Sequence, residues 1–279
     1  MSLAGLFRIT RPVNAIVAGL AAIVAYLIAT GGLIPAVLYL FVIVALITAA
    51  GNVINDYFDA AIDTINRPDR PIPSGTVSLR AAQYFAPTLF LAGLLVSILT
   101  NIFCLAIAVF NCLLLIAYAA RLKSTPFFGN AVVAYLAASM FLFGGALNGP
   151  GGLAHVLPVA TITFFAMLAR ELIKDAEDVE GDAASGASTL PIRIGIRKTA
   201  MLALVFAIFA VIISFVPAIR WGLWYAGGIA VVDIVILIAA FRAIGCDTPS
   251  CIRNSGASTL LKAGFFASLI VFTLSAVFL

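Results

Sequence analysis

Charge is scarce in this sequence. Only 10% of its 279 residues are Asp, Glu, Lys or Arg, while 63% are hydrophobic. A soluble domain carries about a quarter charged residues, so an ordinary soluble fold is excluded. Histidine is nearly absent. His155 is the only one and sits in or beside a short connection between apolar runs, which argues against histidine-centred catalysis. The four cysteines, Cys104, Cys112, Cys246 and Cys251, form no Cys-x-x-Cys pair and have no histidine close by. They read as structural or incidental thiols, not as a zinc site. A formal net charge of +4 is small. It reflects membrane topology and gives no reason to expect a nucleic-acid partner.

What the sequence has instead is long apolar runs. Irregular backbone and open sheet edges cannot be satisfied in lipid, so helices are the spanning element. The expected fold is an all-α, multi-pass protein of the cell membrane, with residues 1–279 as one domain and one bundle. Nine runs approach the roughly 20 residues that cross hydrocarbon: Val13–Thr30, Ile34–Ile54, Ala81–Leu99, Ile102–Ala120, Asn130–Leu147, His155–Ile173, Thr199–Ile219, Leu223–Phe241 and Ser258–Leu279. Only Thr100 and Asn101 separate the third from the fourth, which implies a tight helical hairpin. Met1–Thr10 reads as a short interfacial amphipathic piece, not a cleaved signal peptide. With the N-terminus in the cytoplasm, every Lys and Arg except Arg220 falls at or near the cytoplasmic side. That is the positive-inside pattern, and an odd number of spans leaves the C-terminus outside.

The acids are concentrated to match. Ten of the twelve lie in Asp56–Asp69 and Glu171–Asp182. Asp56, Asp59 and Asp63 stand at i, i+3 and i+7, one face of a helix. Asp175, Asp178 and Asp182 repeat the spacing, each 119 positions further on. The offset suggests a duplication of Ile34–Asp63 as Leu153–Asp182. Stacked like charges repel unless a cation sits among them. Hard oxygen ligands suit Mg²⁺, which is typically held by carboxylates, water and a substrate's phosphates. Two such ladders suggest a site that grips a diphosphate through magnesium ions. Asp233 is the only acid deep in a span. It reads as hydrogen-bonded between helices, with a proton or substrate contact as the alternative.

The first ladder runs into Arg67-Pro-Asp-Arg70-Pro-Ile-Pro-Ser-Gly75. Prolines stiffen this stretch and Gly75 permits a tight turn. It reads as an ordered cytoplasmic cap loop over a central cavity, bringing Arg67 and Arg70 back towards the acids. Arg121 and Lys123 end the fourth span, and Arg170 and Lys174 precede the second ladder. Cations and metal-binding carboxylates around one pocket suit a polyanion.

The stretch Asn55-Asp56-x-x-Asp59-x-x-x-Asp63 with its proline loop resembles the first aspartate motif of the UbiA-type intramembrane prenyltransferases. Asp175–Asp182 resembles the second. Arg11-Pro12-x-Asn14 is similar to the family's opening motif, and Tyr118 and Lys123 to its fourth-span Tyr–Lys pair, at looser spacing. The likeness covers essentially the whole chain. It implies Mg²⁺ held by Asn55, Asp56, Asp59, Asp63, Asp175, Asp178 and Asp182, with Asp56, Asp59, Asp175 and Lys123 acting in catalysis. It also implies that Asn14, Asn55, Arg67, Tyr118, Lys123 and Lys174 bind a prenyl diphosphate, whose partner is a lipid-soluble acceptor in the bilayer. The runs INRPDRPIPSG and RELIKDAEDVEGDAASGASTLPIR look most like the subgroup of archaeal ether-lipid synthesis, which joins geranylgeranyl diphosphate to the hydroxyl of geranylgeranylglyceryl phosphate. Arg193, Arg197 and Lys198 could serve the acceptor's phosphate or act as ordinary membrane anchors. Aromatic acceptors of the quinone, chlorophyll or haem O type are the alternative within the family. A transporter is the alternative outside it, although transporters place critical charges near the midplane and here the acids cluster at helix ends. Oligomeric state stays open.

Overall fold

The computed structural model describes residues 2–184 and 186–278. Met1, Ser185 and Leu279, which belong to the expected terminal segment, sixth-to-seventh connection and ninth span, lie outside them. Among the described residues there are thirteen α-helices and no strand, and nine helical stretches long and apolar enough to cross a membrane. The chain divides into two compact units, one of residues 1–122 with 142–153, the other of 123–141 with 154–279.

The first unit contains α1 (Leu3–Ile9), α2 (Pro12–Thr30), α3 (Val37–Phe58), α4 (Ala60–Asn66), α5 (Leu79–Ser97) and α6 (Ile102–Ala120). Local chemistry sets the ends. Pro12 opens α2, where a missing N–H costs nothing. Gly31 closes α2 in the left-handed region, at φ 73°. The Asn101 side chain caps α6 by accepting from the Cys104 N–H at 3.0 Å. Its amide also donates to the carbonyls of Ala146 and Leu147, at 2.8 and 3.0 Å, so the α5–α6 turn is tied to the chain beyond α6. The terminal segment does more than lie on an interface. Ile9 of α1 is buried with Val53, Val77, Ala82 and Ala86, and the Ser2 N–H donates to the Thr76 carbonyl at 3.1 Å. Leu3 and Phe7 remain exposed.

Next come α7 (Phe128–Ala146) and α8 (Gly149–Ala184), the longest helix. The expected sixth span stops at Ile173, but the helix runs on through the second acid ladder. At 1.5 Å per residue its 36 residues extend about 54 Å, well beyond the ~30 Å hydrocarbon core. Its acidic end therefore stands clear of lipid. After α9 (Leu190–Ile194), helices α10 (Ile196–Ser214), α11 (Ala218–Ile244), α12 (Pro249–Ser255) and α13 (Ala257–Phe278) complete the second unit. A Cys246–Cys251 disulfide ties the α11–α12 connection to α12, so two of the four cysteines form a bond that their sequence spacing did not announce. Cys104 and Cys112 are buried free thiols.

Asp233 joins α11 to α10. The Ser214 hydroxyl lies 2.7 Å from the Val211 carbonyl and 2.6 Å from Asp233 Oδ2. The Tyr225 hydroxyl donates to the Ser214 carbonyl at 2.7 Å. The serine hydroxyl donates to Asp233 Oδ2 as well as lying against the Val211 carbonyl, so residue 233 needs only to accept a hydrogen bond. An amide would do so. Asp233→Asn should therefore melt with the parent protein in detergent. Asp233→Ala should melt lower, losing about 1–3 kcal/mol for the group left unbonded. A large loss in the Asn variant would contradict the hydrogen-bond assignment.

Backbone approach sets a second expectation. A Cβ on Gly144 would run into the Ala22 carbonyl and the Ala25 side chain, so α2 packs there against bare backbone. Gly144→Val should cost about 1–3 kcal/mol or more through overpacking. Gly227→Ala, where nothing lies within 4 Å, should be neutral or stabilising by up to ~1 kcal/mol. Paired thermal melts separate the two.

Candidate active site

The first acid ladder is nearly one helix. α3 stops at Phe58 and α4 begins at Ala60, but helical bonds continue, with Asp59 N–H to Asn55 O at 3.0 Å and Asp63 N–H to Asp59 O at 2.8 Å. All three carboxylates thus keep to one side. Asp56 and Asp63 are 3% and 5% exposed, so their mutual repulsion is poorly screened by water. Two arginines relieve it. Arg70 Nη1 reaches Asp63 Oδ2 at 2.5 Å and Asp56 Oδ1 at 3.3 Å, and Arg11 Nη2 reaches Asp56 Oδ1 at 2.6 Å.

Backbone places both cations. Arg11 has φ 50° and ψ 65°, a left-handed conformation that costs a non-glycine residue energy, and Pro12 fixes the helix start beside it. The loop after α4 winds through Arg70 N–H to Arg67 O at 3.0 Å, Ser74 N–H to Arg70 O at 2.9 Å and Val77 N–H to Pro71 O at 2.9 Å, with Gly75 at φ 73°. That winding turns Arg70 inward. Arg67, expected to bind substrate, is exposed, as is Asn14 on the first turn of α2. The exposed Arg8–Asp69 pair at 3.4 Å contributes little.

Asn55 carries an unsatisfied oxygen. Asn55 Nδ2 donates to Asp59 Oδ2 at 3.0 Å, which directs its carbonyl oxygen elsewhere. That Oδ1 is buried with no hydrogen-bond partner. A buried acceptor beside a carboxylate fits a hard cation with oxygen ligands. Among the described residues, no three Asp, Glu, His or Cys side chains gather tightly enough to hold a metal by themselves. Arg70 Nη1 lies between the Asp56 and Asp63 carboxylates, within hydrogen-bond distance of both.

The second ladder lies wholly in α8. Asp175 is partly buried and its Oδ2 accepts from Asn130 Nδ2 at 2.9 Å. Asn130 is itself 7% exposed. Asp182 is partly buried near Thr189, while Asp178 and Lys174 are exposed. Glu177 and Glu180 take a different face. The Ser258 hydroxyl donates to Glu177 Oε2 at 2.9 Å, and Arg253 reaches the Glu177 carbonyl at 2.9 Å and Glu180 at 3.7 Å. Lys123, partly buried, sits in a 3₁₀ turn at Leu122–Ser124. The Ser188 N–H bonds the Ser124 carbonyl of that turn at 3.3 Å. Tyr118 is partly buried in the last turn of α6.

Arg11 and Asn130 enlarge the set expected from sequence, while Arg70, expected near the acids, pairs with Asp56 and Asp63. Arg11 lies within a motif already noted. Asn130 had only one signal, that of a polar residue in the first turn of an otherwise apolar span.

The model of the UbiA prenyltransferase family matches residues 18–273. A digeranylgeranylglyceryl phosphate synthase of Methanoregula boonei is 65% identical over 279 residues, covering 100% of both chains. A solved structure of digeranylgeranylglyceryl phosphate synthase in membranes aligns with TM-score 0.88 at 35% identity, over 99% of each chain. A UbiA homologue from Archaeoglobus fulgidus bound to GPP and Mg²⁺ shares the fold, with TM-score 0.60 and 18% identity over 95% of this chain and 99% of its own.

If Arg70 stands in for a cation between buried carboxylates, its removal takes away the ion pair of Asp63 and leaves Asp56 with Arg11 alone. Arg70→Ala should lower stability by about 3–5 kcal/mol without divalent ions, and added Mg²⁺ should restore part of it. Arg67→Ala should leave the melt unchanged. Equal effects from the two substitutions would contradict the assignment.

Proposed function

The chain belongs to the UbiA prenyltransferase family, and on that premise we propose that it transfers a geranylgeranyl group from its diphosphate to the free hydroxyl of geranylgeranylglyceryl phosphate in archaeal ether-phospholipid synthesis. The observation that carries this is full-length identity of 65% to a synthase named for that reaction's product. The proposed setting is the membrane, with the acid-rich helix ends on the cytoplasmic side. Concentration of cationic side chains at those ends supports that orientation.

Asn55, Asp56, Asp59 and Asp63, with Asp175, Asp178 and Asp182, would hold Mg²⁺; the open oxygen of Asn55 beside Asp59 supports this for the first ladder, and an Archaeoglobus fulgidus homologue is bound to GPP and Mg²⁺. Bound there, Mg²⁺ supplies positive charge to the diphosphate as the allylic carbon–oxygen bond breaks. The protein's own part is arrangement. Arg11 and Arg70 fix the Asp56 and Asp63 carboxylates, and Asn130 fixes that of Asp175. Lys123 and Lys174 neutralise charge on the diphosphate, with Tyr118, Arg67 and Asn14 as further substrate contacts. The prenyl tail lies among apolar spans. They also exclude water, which would otherwise capture an allylic cation as the alcohol. The acceptor hydroxyl then forms the ether bond at the allylic carbon and loses its proton.

Asp56→Asn and Asp175→Asn should each lower Mg²⁺-dependent transfer by roughly 10²–10³-fold in protein that still melts cooperatively. Undiminished transfer in both would remove the site assignment. A panel comparing geranylgeranylglyceryl phosphate with aromatic acceptors should show turnover on the former alone, and preference for an aromatic acceptor would overturn the proposed substrate.

A further inference from the structure

This inference rests on the acceptor just proposed and concerns where its phosphate binds. Most arginines around the acid ladders are already engaged. Arg11, Arg70, Arg170 and Arg253 each lie within ion-pair distance of a carboxylate. Arg193, Arg197 and Lys198, exposed at the α9–α10 junction, have no carboxylate partner among the described residues. Three exposed cations within six positions make this junction locally basic.

Arg193 is the one tied to the candidate site. Its Nε donates to the Ser188 hydroxyl at 2.9 Å. Ser188 in turn donates its N–H to the Ser124 carbonyl at 3.3 Å, in the turn that carries Lys123. The Ala187 N–H donates to the Asp182 carbonyl at 2.9 Å. Arg193 is therefore linked through Ser188 both to the turn assigned to the diphosphate and to the end of the second ladder. Because Nε is held by Ser188, the two terminal nitrogens are left as a fork, the geometry that meets two phosphate oxygens.

The acceptor's dimensions make this placement significant. Its reacting hydroxyl and its phosphate are on adjacent glycerol carbons, so wherever the hydroxyl attacks, the phosphate is close by. A phosphate site must therefore lie beside the diphosphate site and not along the tail channel. We propose that Arg193, oriented by Ser188, binds the phosphate monoester of the acceptor and selects for acceptors that carry one. Bilayer headgroups offer the same phosphate chemistry, and exposed Ile192 and Ile194 nearby make them the competing source.

The test uses the full chain, purified in detergent and also reconstituted in neutral and anionic liposomes. Arg193→Gln and Arg193→Lys are compared with the parent on geranylgeranylglyceryl phosphate and on phosphate-free geranylgeranylglycerol. In detergent, Arg193→Gln should raise KM for the phosphorylated acceptor roughly 10- to 100-fold, the value of a charge-assisted hydrogen bond. kcat and the KM for geranylgeranyl diphosphate should hold. Arg193→Lys should recover part of the loss, and turnover of geranylgeranylglycerol should fall no further than in the parent. An unchanged KM, or equal losses on both acceptors, overturns the inference. So does a defect seen in anionic liposomes but absent in detergent, which would mark Arg193 as a headgroup anchor. A parent that uses geranylgeranylglyceryl phosphate while Arg193→Gln is unaffected refutes this inference alone. A parent that cannot use it refutes the proposed reaction as well.

Discussion

Fixed negative charge in a chain this apolar is the constraint on which the rest depends. Asp56 and Asp63 are almost wholly buried on the same side of one helical run. At the effective dielectric of a protein interior, their repulsion would be worth kilocalories. The fold answers by bringing Arg70 from the following loop and Arg11 from the preceding turn. Much of the unit's irregular structure serves those two placements. The proline loop turns Arg70 inward, the Thr76 carbonyl anchors the chain start at Ser2, and α1 buries Ile9 against Val53 and Val77. Arg11 takes a backbone conformation that few non-glycine residues adopt.

The second ladder solves the same problem differently. Its three acids lie along the part of α8 that outruns the hydrocarbon, and Asp178 is exposed. Asp175 is oriented by an amide, not a guanidinium. An amide directs a carboxylate without placing a compensating charge beside it, whereas Asp56 lies between two arginines. Identical spacing in the sequence thus leads to two electrostatic environments, because the loops and helices that pack on each ladder differ.

Most of the fold was legible because hydropathy alone decides what crosses a membrane. Eight of the nine expected spans sit within a few residues of the observed helices. The sixth misled because apolar character ends near Ile173, whereas helical hydrogen bonding does not depend on polarity and continues to Ala184. The ladders were legible as spacing. Which arginine turns inward was not. Arg67 and Arg70 stand three apart in a non-helical stretch, and only the turns through Arg67 O and Arg70 O decide between them. Asn130 and the Cys246–Cys251 bond depend on approach in space, 2.9 Å in one case and Cα atoms 5.4 Å apart in the other. Neither follows from position in sequence.

The choice of arginine at position 70 follows from the same reasoning. Both of its carboxylate contacts use Nη1, and a guanidinium has donors on three nitrogens in a rigid plane. Arg70 can hold Asp56 and Asp63 together and still present Nη2 to another anion. A lysine ammonium is a point charge on a flexible stem. It would have to divide itself between the carboxylates and anything beyond them, with no fixed direction for either. On the reaction proposed above, a chain that keeps its acids in place without a ligand and meets a diphosphate when one binds is better served by the planar fork. The same geometry recurs at Arg193, where Nε is fixed by Ser188 and the remaining donors project away from it. In both places the protein holds one part of the guanidinium, and the proposed anion contacts would use the rest.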